Sequence, residues 1–264
     1  MTTAGRIEMV PTTATGWRLG LANLLRKEVG VWSGSPLWWI QTLIWLFMLD
    51  VTTAMTIRDT GGRTRDELIS EATLTFFQVG ATAIPIGIVL TLMGAVVREK
   101  DMGTAAWVLS KPVSRPAFVL SKFAAHLIGF LTTAVLIPAA VFLVMTRVML
   151  SQWIDPGRFA VGLGVMCLSL LFYVALALAL GTLARSQGLV AGVGITFILL
   201  GQVLKGMLPE PLVILTPWPL GDAAAAFASN EELGLTGTVL LSAVTVETLL
   251  FAAVALWRFA REEF

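Results

Sequence analysis

Long stretches without a single charged residue constrain this sequence more than any other feature. Residues 72–97 contain no Asp, Glu, Lys or Arg, and the whole chain is 56% hydrophobic but only 13% charged. Soluble domains carry about 25% charged residues. A helix needs about 20 mostly apolar residues to cross the hydrocarbon core of a bilayer. The sequence therefore predicts an all-α integral membrane protein.

Six windows of the sequence are long and apolar enough to be transmembrane helices. We place them at about residues 36–55, 72–97, 123–146, 159–184, 189–207 and 236–257. An even number of spans puts both termini on one side, and that side carries twelve of the eighteen Lys and Arg residues. Because basic loops stay in the cytoplasm, we predict a multi-pass protein of the cytoplasmic (inner) cell membrane with both termini in the cytoplasm.

The segment before the first span has the pattern of a helix that lies in the membrane surface. Residues 1–15 are polar and are predicted to be flexible, whereas apolar residues recur at helical spacing over residues 16–33. Trp17 begins this apolar face, and Arg26 and Lys27 lie elsewhere on the helix, as in helices that direct basic side chains at lipid headgroups. The helix is expected to break at Gly30, Gly34 and Pro36. The alternative is a plain extension of the first span.

Charge returns abruptly in the connection between the second and third spans, residues 98–122. Apolar residues at i, i+3, i+4 and i+7 predict a short helix there with one apolar face, made by Met102, Ala105, Ala106 and Leu109. Pro112 is expected to stop this helix, and Ser114 is expected to cap the next one. Lys122 lies a turn or two into that next helix, where its ammonium can reach the headgroups. These residues alone leave open a basic loop that only sets the topology.

The order and spacing of residues in this loop resemble the type-2 ATP-binding-cassette (ABC) transporter permeases. The resemblance rests on Glu99, Gly103, Leu109, Pro112, Val113, Ser114, Arg115 and Lys122. The shared layout of a surface helix, six spans and a Pro-rich segment before the last span extends it over about residues 17–260. In that family the short loop helix is a coupling helix, which docks on a separate ATPase subunit.

The resemblance assigns roles to residues of the loop and of the surface helix. It implies that contact with the ATPase is made by Glu99, Asp101, Met102, Gly103, Ala106, Leu109, Pro112 and Arg115. Glu99 would orient the coupling helix by contact with the ATPase or with Arg115, and Gly103 would allow close approach. Anchoring at the membrane interface would fall to Trp17, Arg26, Lys27 and Lys122.

The resemblance also implies the partners. Two ABC ATPase subunits would bring ATP and Mg²⁺, and a second permease copy or a homologue would complete a translocation path for export. This chain contains no GxxxxGK[ST] phosphate loop, and it has one His and one Cys. We therefore predict no catalytic residue, metal site or cofactor in it, and no nucleic-acid partner. A stand-alone ion-coupled carrier and a polytopic membrane enzyme are the alternatives.

Two carboxylates and two amides stand out within the predicted spans. Charged groups inside a span are costly and by default suggest a function. Asp50 and Glu247 either line a translocation path or form a proton-linked site, or they make a structural pair with Lys205, Arg58 or a polar neighbour at a helix or dimer interface. Gln78 and Gln202 are candidates for the same path, although hydrogen bonding between helices, worth about 0.6 kcal/mol on average, is the more common role.

The segment before the last span, residues 208–235, reads neither as a span nor as an ordinary loop. It is broken repeatedly by Pro209, Pro211, Pro217 and Pro219. We expect a re-entrant external hairpin of two short helices, one capped by Asp222, because exposed backbone inside a bilayer must be covered by protein. The alternative is a loop that lies on the outer surface. In the resembled family this region closes the outer mouth of the path.

Small residues recur within the predicted fourth and fifth spans. They include Gly162 and Gly164 in the fourth span and Gly192 and Gly194 in the fifth. Small residues let two helix backbones approach closely inside a membrane. These glycines, and the run Ala175, Ala177, Ala179 and Gly181 in the fourth span, would therefore allow close approach of neighbouring helices.

Overall fold

A computed structural model of the chain describes residues 16–59, 61–229 and 233–263. These residues form eleven helices, with no β-strand among them. The helices are α1 (Leu21–Gly34), α2 (Leu37–Arg58), α3 (Arg65–Leu92), α4 (Val97–Asp101), α5 (Thr104–Leu109), α6 (Arg115–Leu150), α7 (Pro156–Leu183), α8 (Gln187–Lys205), α9 (Glu210–Val213), α10 (Leu220–Ala228) and α11 (Gly234–Ala260). The predicted flexible segment 1–15 lies outside the described residues.

Six of these helices are long and apolar enough to cross a membrane, namely α2, α3, α6, α7, α8 and α11. The predicted all-α fold with six spans is confirmed. The helices differ from the predicted windows mainly at their ends. The helix of the third span begins at Arg115, whereas its predicted apolar window begins near residue 123. The helix of the second span begins at Arg65, whereas its window begins near residue 72. Hydropathy locates the apolar centre of a helix, whereas polar capping residues decide where its backbone starts.

Four of the spans begin with a side chain that caps the helix. Thr64 and Glu67 form a reciprocal capping box at the start of α3, and the Ser114 hydroxyl accepts a hydrogen bond from the Ala117 backbone N–H at the start of α6. Asp155 caps α7 and Ser186 caps α8 in the same way. Each cap contributes about 1 kcal/mol. Together they fix the lengths of the loops between spans.

Helix α7 is the centre of the bundle. Of its most apolar 18-residue window, 67% is buried, against 22% for α8 and for α11. It packs against α3, α10 and α11. At one end, rings of three helices form a continuous aromatic cluster: Phe76, Phe77, Phe142 and Phe159. The outer faces of α8 and α11 are therefore the ones left for lipid or for another chain.

Two spans contain a π-helical turn. In α2 this turn covers Leu46–Val51, and in α6 it covers Leu131–Leu136, just before Pro138. Proline cannot donate a backbone hydrogen bond to the preceding turn, so the widened turn in α6 has a clear cause. The turn in α2 contains Asp50, and π turns occur often at functional positions.

The segment before the last span forms α9 and α10. Helix α10 packs against α3 and α7, with Leu220, Ala224 and Ala225 buried. A short Ala-rich helix can lie this close because its side chains are small. The prediction that Asp222 caps α10 is wrong: Pro219 occupies the capping position. Asp222 lies in the first turn instead, and its side chain contacts two spans.

Helix α1 packs lengthwise against α6. Its Trp32 ring lies edge-on to His126 and Phe130, above Gly129, where a Cβ atom would lie 2.7 Å from the indole. The expected break at Gly30 is absent, since the helix continues to Gly34. A single glycine in a helix costs only about 1 kcal/mol, which this packing offsets.

Candidate functional site

The connection between the second and third spans folds as two short helices joined at Gly103. Gly103 has a backbone φ of +67°, a conformation that favours glycine. The prediction of one helix starting at Met102 is therefore wrong, because the chain turns at Gly103 and starts α5 afresh. A Cβ atom at Gly103 would meet open space. Within this chain the glycine is needed for its backbone angle rather than for close packing.

Helix α5 turns one face to the protein and one away from it. Ala105 is fully buried, whereas Met102 and Trp107 are 66% and 63% exposed. The predicted apolar face had grouped Met102 with Ala105, and the turn at Gly103 separates them. The Lys111 ammonium lies 3.5 Å from the centre of the Trp107 ring. We call Met102, Trp107 and Lys111 the exposed ridge.

The other residues that the resemblance assigned to the ATPase contact lie around this ridge. Asp101 and Pro112 are exposed, and Ala106 and Leu109 are half-buried. Trp107 was not predicted from the sequence, because it lies outside the i, i+3, i+4, i+7 positions that defined the apolar face. The signal that would have found it is a tryptophan among charged residues in a loop, because aromatic side chains are enriched at protein interfaces.

Behind the ridge lies a cluster of four charged residues from three helices: Lys27, Glu28, Glu99 and Lys122. The Lys122 ammonium lies 3.1 Å from Glu28 Oε1 and 2.9 Å from Glu99 Oε1. The Lys27 ammonium lies 3.3 Å from each of the same two oxygens. We call these four residues the ion cluster. It ties α1 and α6 to α4, which leads directly into the exposed ridge.

The ion cluster revises two predicted roles. The predicted contact of the Lys122 ammonium with lipid headgroups is wrong. Only 3% of its side chain is exposed, because α1 covers it. Glu99 pairs with Lys27 and Lys122, and it is not paired with Arg115. Glu28 was missed, although its place beside Lys27 on one helix suggested a charged face.

Electrostatics within the cluster favour the charged form of Glu28. Burial by itself raises the pKa of this carboxyl, but the ammonium groups of Lys122 and Lys27 outweigh burial and hold its pKa below the ordinary value of 4.5. Burial likewise lowers the pKa of Lys27, while Glu28 and Glu99 more than offset it and raise that pKa. Both shifts favour the charged forms of Glu28 and Lys27 near neutral pH.

This pKa shift predicts a pH-dependent contribution to stability. Since the pKa of Glu28 is lower in the folded state, the pairing stabilises the protein fully above about pH 4.5 and is lost as the pH falls through the folded-state value. We expect the stability gap between wild type and Glu28→Gln to be constant from pH 8 to pH 5 and to narrow below that. Thermal unfolding in one detergent at each pH measures the gap. A gap that stays constant down to pH 3 would contradict the pairing.

Arg115 connects the start of α6 to the end of α11 and the residues that follow it. Its guanidinium donates hydrogen bonds to the backbone carbonyls of Ala260 and Glu262, at 2.5 and 2.8 Å. The Glu262 carboxylate in turn binds Lys100 at 2.8 Å and Arg258 at 3.0 Å. The end of α11 is thus connected to both sides of the exposed ridge.

The two remaining anchoring residues are Trp17, which precedes α1, and Arg26, which lies within α1. Trp17 is half-exposed, its carbonyl accepts a hydrogen bond from the Ser114 hydroxyl at 2.5 Å, and the Arg18 guanidinium lies over its ring. Arg26 is exposed on α1. The segment before α1 is therefore held against the end of the loop. Its orientation toward headgroups stays a prediction.

The polar residues within the spans have separate surroundings. Asp50 is 6% exposed, and neither carboxylate oxygen has a hydrogen-bond partner in the described part of the chain. Glu247 is half-buried on α11 and does not pair with Lys205. Lys205 instead binds Asp222 at 2.7 Å.

Gln78 makes a contact between helices. Its amide donates to Asp222 at 2.9 Å, so that Asp222 joins α3 and α8 through α10. Gln202 is half-buried on α8, three positions before Lys205. The structure therefore brings Gln78 together with Asp222 of α10. Within the described residues, no hydrogen bond or ion pair joins Asp50, Glu247 and Gln202 to one another.

The fold and this loop define a multi-pass membrane protein with an exposed helical segment between its second and third spans. The chain matches the family described as "ABC-2 family transporter protein" over residues 22–264, and it belongs to that family. The predicted resemblance is confirmed. The chain is also similar to the "Uncharacterized transmembrane protein YxlG" of Bacillus subtilis (strain 168), with 27% identity over 177 residues, which is 67% of each chain.

Proposed function

We propose that this chain is the membrane subunit of an ABC exporter, driven by two separate ATPase subunits that bind ATP and Mg²⁺. The observation that carries the proposal is the exposed ridge. Met102 and Trp107 are large apolar side chains held in the open by a two-helix segment. Protein interfaces concentrate their binding energy in aromatic and methionine side chains of this kind.

The connections of the ridge suit it to transmit motion. Four residues separate α3 from α4, and five residues separate α5 from α6. The ion cluster and Arg115 tie the same segment to α1 and to the end of α11. Because several rigid contacts hold the segment, a force on the ridge moves span ends rather than bending a loop.

A second permease copy, or a homologue, fits the exposed face of α11. A shallow cavity of about 490 Å³ on this face is lined by Thr238, Ser242 and Glu247, with Leu215 beside them. Polar side chains within a span are disfavoured against lipid and usually face a bundle interior or water. We propose that Glu247 faces the dimer interface or the translocation path.

Substitutions on the ridge test the coupling. Trp107→Ala is expected to weaken binding of the ATPase about 30-fold, the effect of losing one aromatic anchor worth about 2 kcal/mol. The ABC ATPase is co-expressed with each variant, and the purified proteins are reconstituted together. The measurements are the affinity of the ATPase for the permease variant and the rate of ATP hydrolysis that the variant stimulates. Gly103→Trp should have an equal or larger effect, since it also disturbs the backbone turn.

Trp153→Ala is the matched control, because Trp153 is 62% exposed in the loop at the opposite end of α6. It should leave ATPase binding unchanged. Full activity of both Trp107→Ala and Gly103→Trp would contradict the coupling role.

A stand-alone ion-coupled carrier is the second candidate. The observation that favours it is the buried carboxylate of Asp50, which has no hydrogen-bond partner among the described residues. Proton- or ion-linked transport commonly uses such a carboxylate within the membrane. Reconstituted protein without any ATPase distinguishes the two. Substrate movement driven by an ion gradient and lost in Asp50→Asn would establish the carrier.

A further inference from the structure

A cavity of about 530 Å³ opens where α1 meets the neighbouring ends of the first three spans. Val31, Leu37 and Leu90 line it, and each is about half exposed. Cavities that hold small ligands usually measure about 300–1,000 Å³. This one combines a suitable size with an apolar opening at the end of a transmembrane bundle, where acyl chains lie alongside.

The wall of this cavity toward α4 is ionic. It contains the ion cluster and Arg98, so three cations face two carboxylates. Lys122 is fully engaged by Glu28 and Glu99. Arg98 is exposed, and Glu99 keeps 21% of its side chain exposed. The cavity therefore presents the accessible cation of Arg98 beside Glu99, whose Oε1 pairs with Lys27 and Lys122 and whose Oε2 is covered.

Three polar atoms of the residues lining the cavity have no hydrogen-bond partner in the described part of the chain: Gln41 Oε1, Glu99 Oε2 and His126 Nδ1. Buried polar groups without partners are costly. Two of these atoms are oxygens that can only accept a hydrogen bond. They are covered by neighbouring atoms, so a ligand reaches them after a rotation of the side-chain end. A positively charged hydrogen-bond donor complements them best.

We propose that this cavity binds the headgroup of a phospholipid with a primary amine, of the phosphatidylethanolamine class. The ammonium donates hydrogen bonds to Glu99 and Gln41, the phosphate faces Arg98, and the acyl chains leave past Val31 and Leu37. A bound lipid links α1 to the first three spans beside the ion cluster. This inference requires that the chain lies in a bilayer, and it is independent of ATPase coupling.

The wild-type protein tests the proposal with three lipids of identical acyl chains. Purified full-length protein in detergent is titrated with phosphatidylethanolamine, phosphatidylcholine or phosphatidylglycerol, and bound lipid is counted by native mass spectrometry. Phosphatidylethanolamine should bind about tenfold more tightly than phosphatidylcholine, whose ammonium carries the same charge but has no N–H donor. Equal binding of these two lipids, or a preference for phosphatidylglycerol, would overturn the proposal.

Variants locate the binding. Gln41→Leu and Glu99→Gln should each bring the ratio of the affinities for phosphatidylethanolamine and phosphatidylcholine close to one. The control is Gln202→Leu, since Gln202 is half-buried on α8 and does not line the cavity. It should leave the ratio unchanged. An unchanged preference in both cavity variants would place the lipid elsewhere. Where a variant does not fold, the wild-type comparison decides.

A soluble competitor distinguishes binding of the whole lipid from binding of its headgroup alone. Glycerophosphoethanolamine has the same ammonium and phosphate but no acyl chains, so it should not displace the lipid at equal concentration. Displacement would show that the apolar opening contributes nothing, and it would overturn the assignment to a lipid.

Discussion

Replacing Lys122 by methionine is expected to lower the free energy of unfolding by about 3–5 kcal/mol, the usual cost of leaving a buried charge without its partner. Only 3% of the Lys122 side chain is exposed, and its ammonium contacts both Glu28 and Glu99. Methionine fills similar space but pairs with neither carboxylate. The two carboxylates then keep only Lys27, which is 48% exposed and lies farther from both.

The measurement is thermal or denaturant-induced unfolding of purified protein in one detergent. Lys27→Met is the matched control, since Lys27 contacts the same carboxylates from a solvated position and should cost less than about 1 kcal/mol. Adding Glu28→Gln and Glu99→Gln to Lys122→Met should recover part of the loss, because no largely buried carboxylate is then left without Lys122. The remaining charge, that of Lys27, is 48% exposed and stays solvated. Equal losses for the two single Lys variants would contradict the buried role of Lys122.

The ion cluster has a consequence for the proposed coupling. Glu99 lies on α4, immediately before the turn at Gly103, and it is held by a lysine from α1 and a lysine from α6. A helix fastened on two sides moves together with its neighbours. The segment that carries the exposed ridge is therefore part of the bundle end, in contrast to a basic loop whose only role is to set topology.

The spans could be predicted from the sequence because length and hydropathy are local properties. A window such as residues 72–97 needs no knowledge of its neighbours to be recognised. The helix starts at Arg65 and Arg115 were harder to predict, since they depend on Thr64 and Ser114, which cap the helices from within polar stretches. Ser114 was recognised as a cap, but the third span was still placed by its apolar centre.

The candidate site was harder to predict because its contacts join distant parts of the chain. Lys122 and Glu28 are 94 positions apart. The sequence of neither helix alone predicts that α1 covers the face of α6 that carries Lys122. The prediction for Lys122 assumed a free helix surface. The backbone turn at Gly103 is local, yet a glycine inside a helical pattern is compatible with either an uninterrupted helix or a break.

The glycines of the fourth span show the same limit in a testable form. Gly162 and Gly164 look equivalent in the sequence, and both were expected to allow close approach of neighbouring helices. A Cβ atom at Gly162 would lie 2.7 Å from the backbone oxygen of Ala224 on α10 and 2.7 Å from Phe77 on α3. A Cβ atom at Gly164 would meet nothing within 4 Å. Only Gly162 therefore lets α10 rest directly on α7.

Gly162→Ala is accordingly expected to destabilise the protein by about 1–3 kcal/mol, the range for inserting a methyl group into a packed interior. The backbone of α10 cannot turn away as a side chain could, so α10 must shift off α7. Gly164→Ala removes a glycine from the same helix without a clash, and its gain in helix propensity of up to about 1 kcal/mol should leave stability unchanged or raised. Thermal unfolding of both variants in one detergent gives the comparison. Similar effects of the same sign at both positions would mean that α10 does not pack on α7 through Gly162.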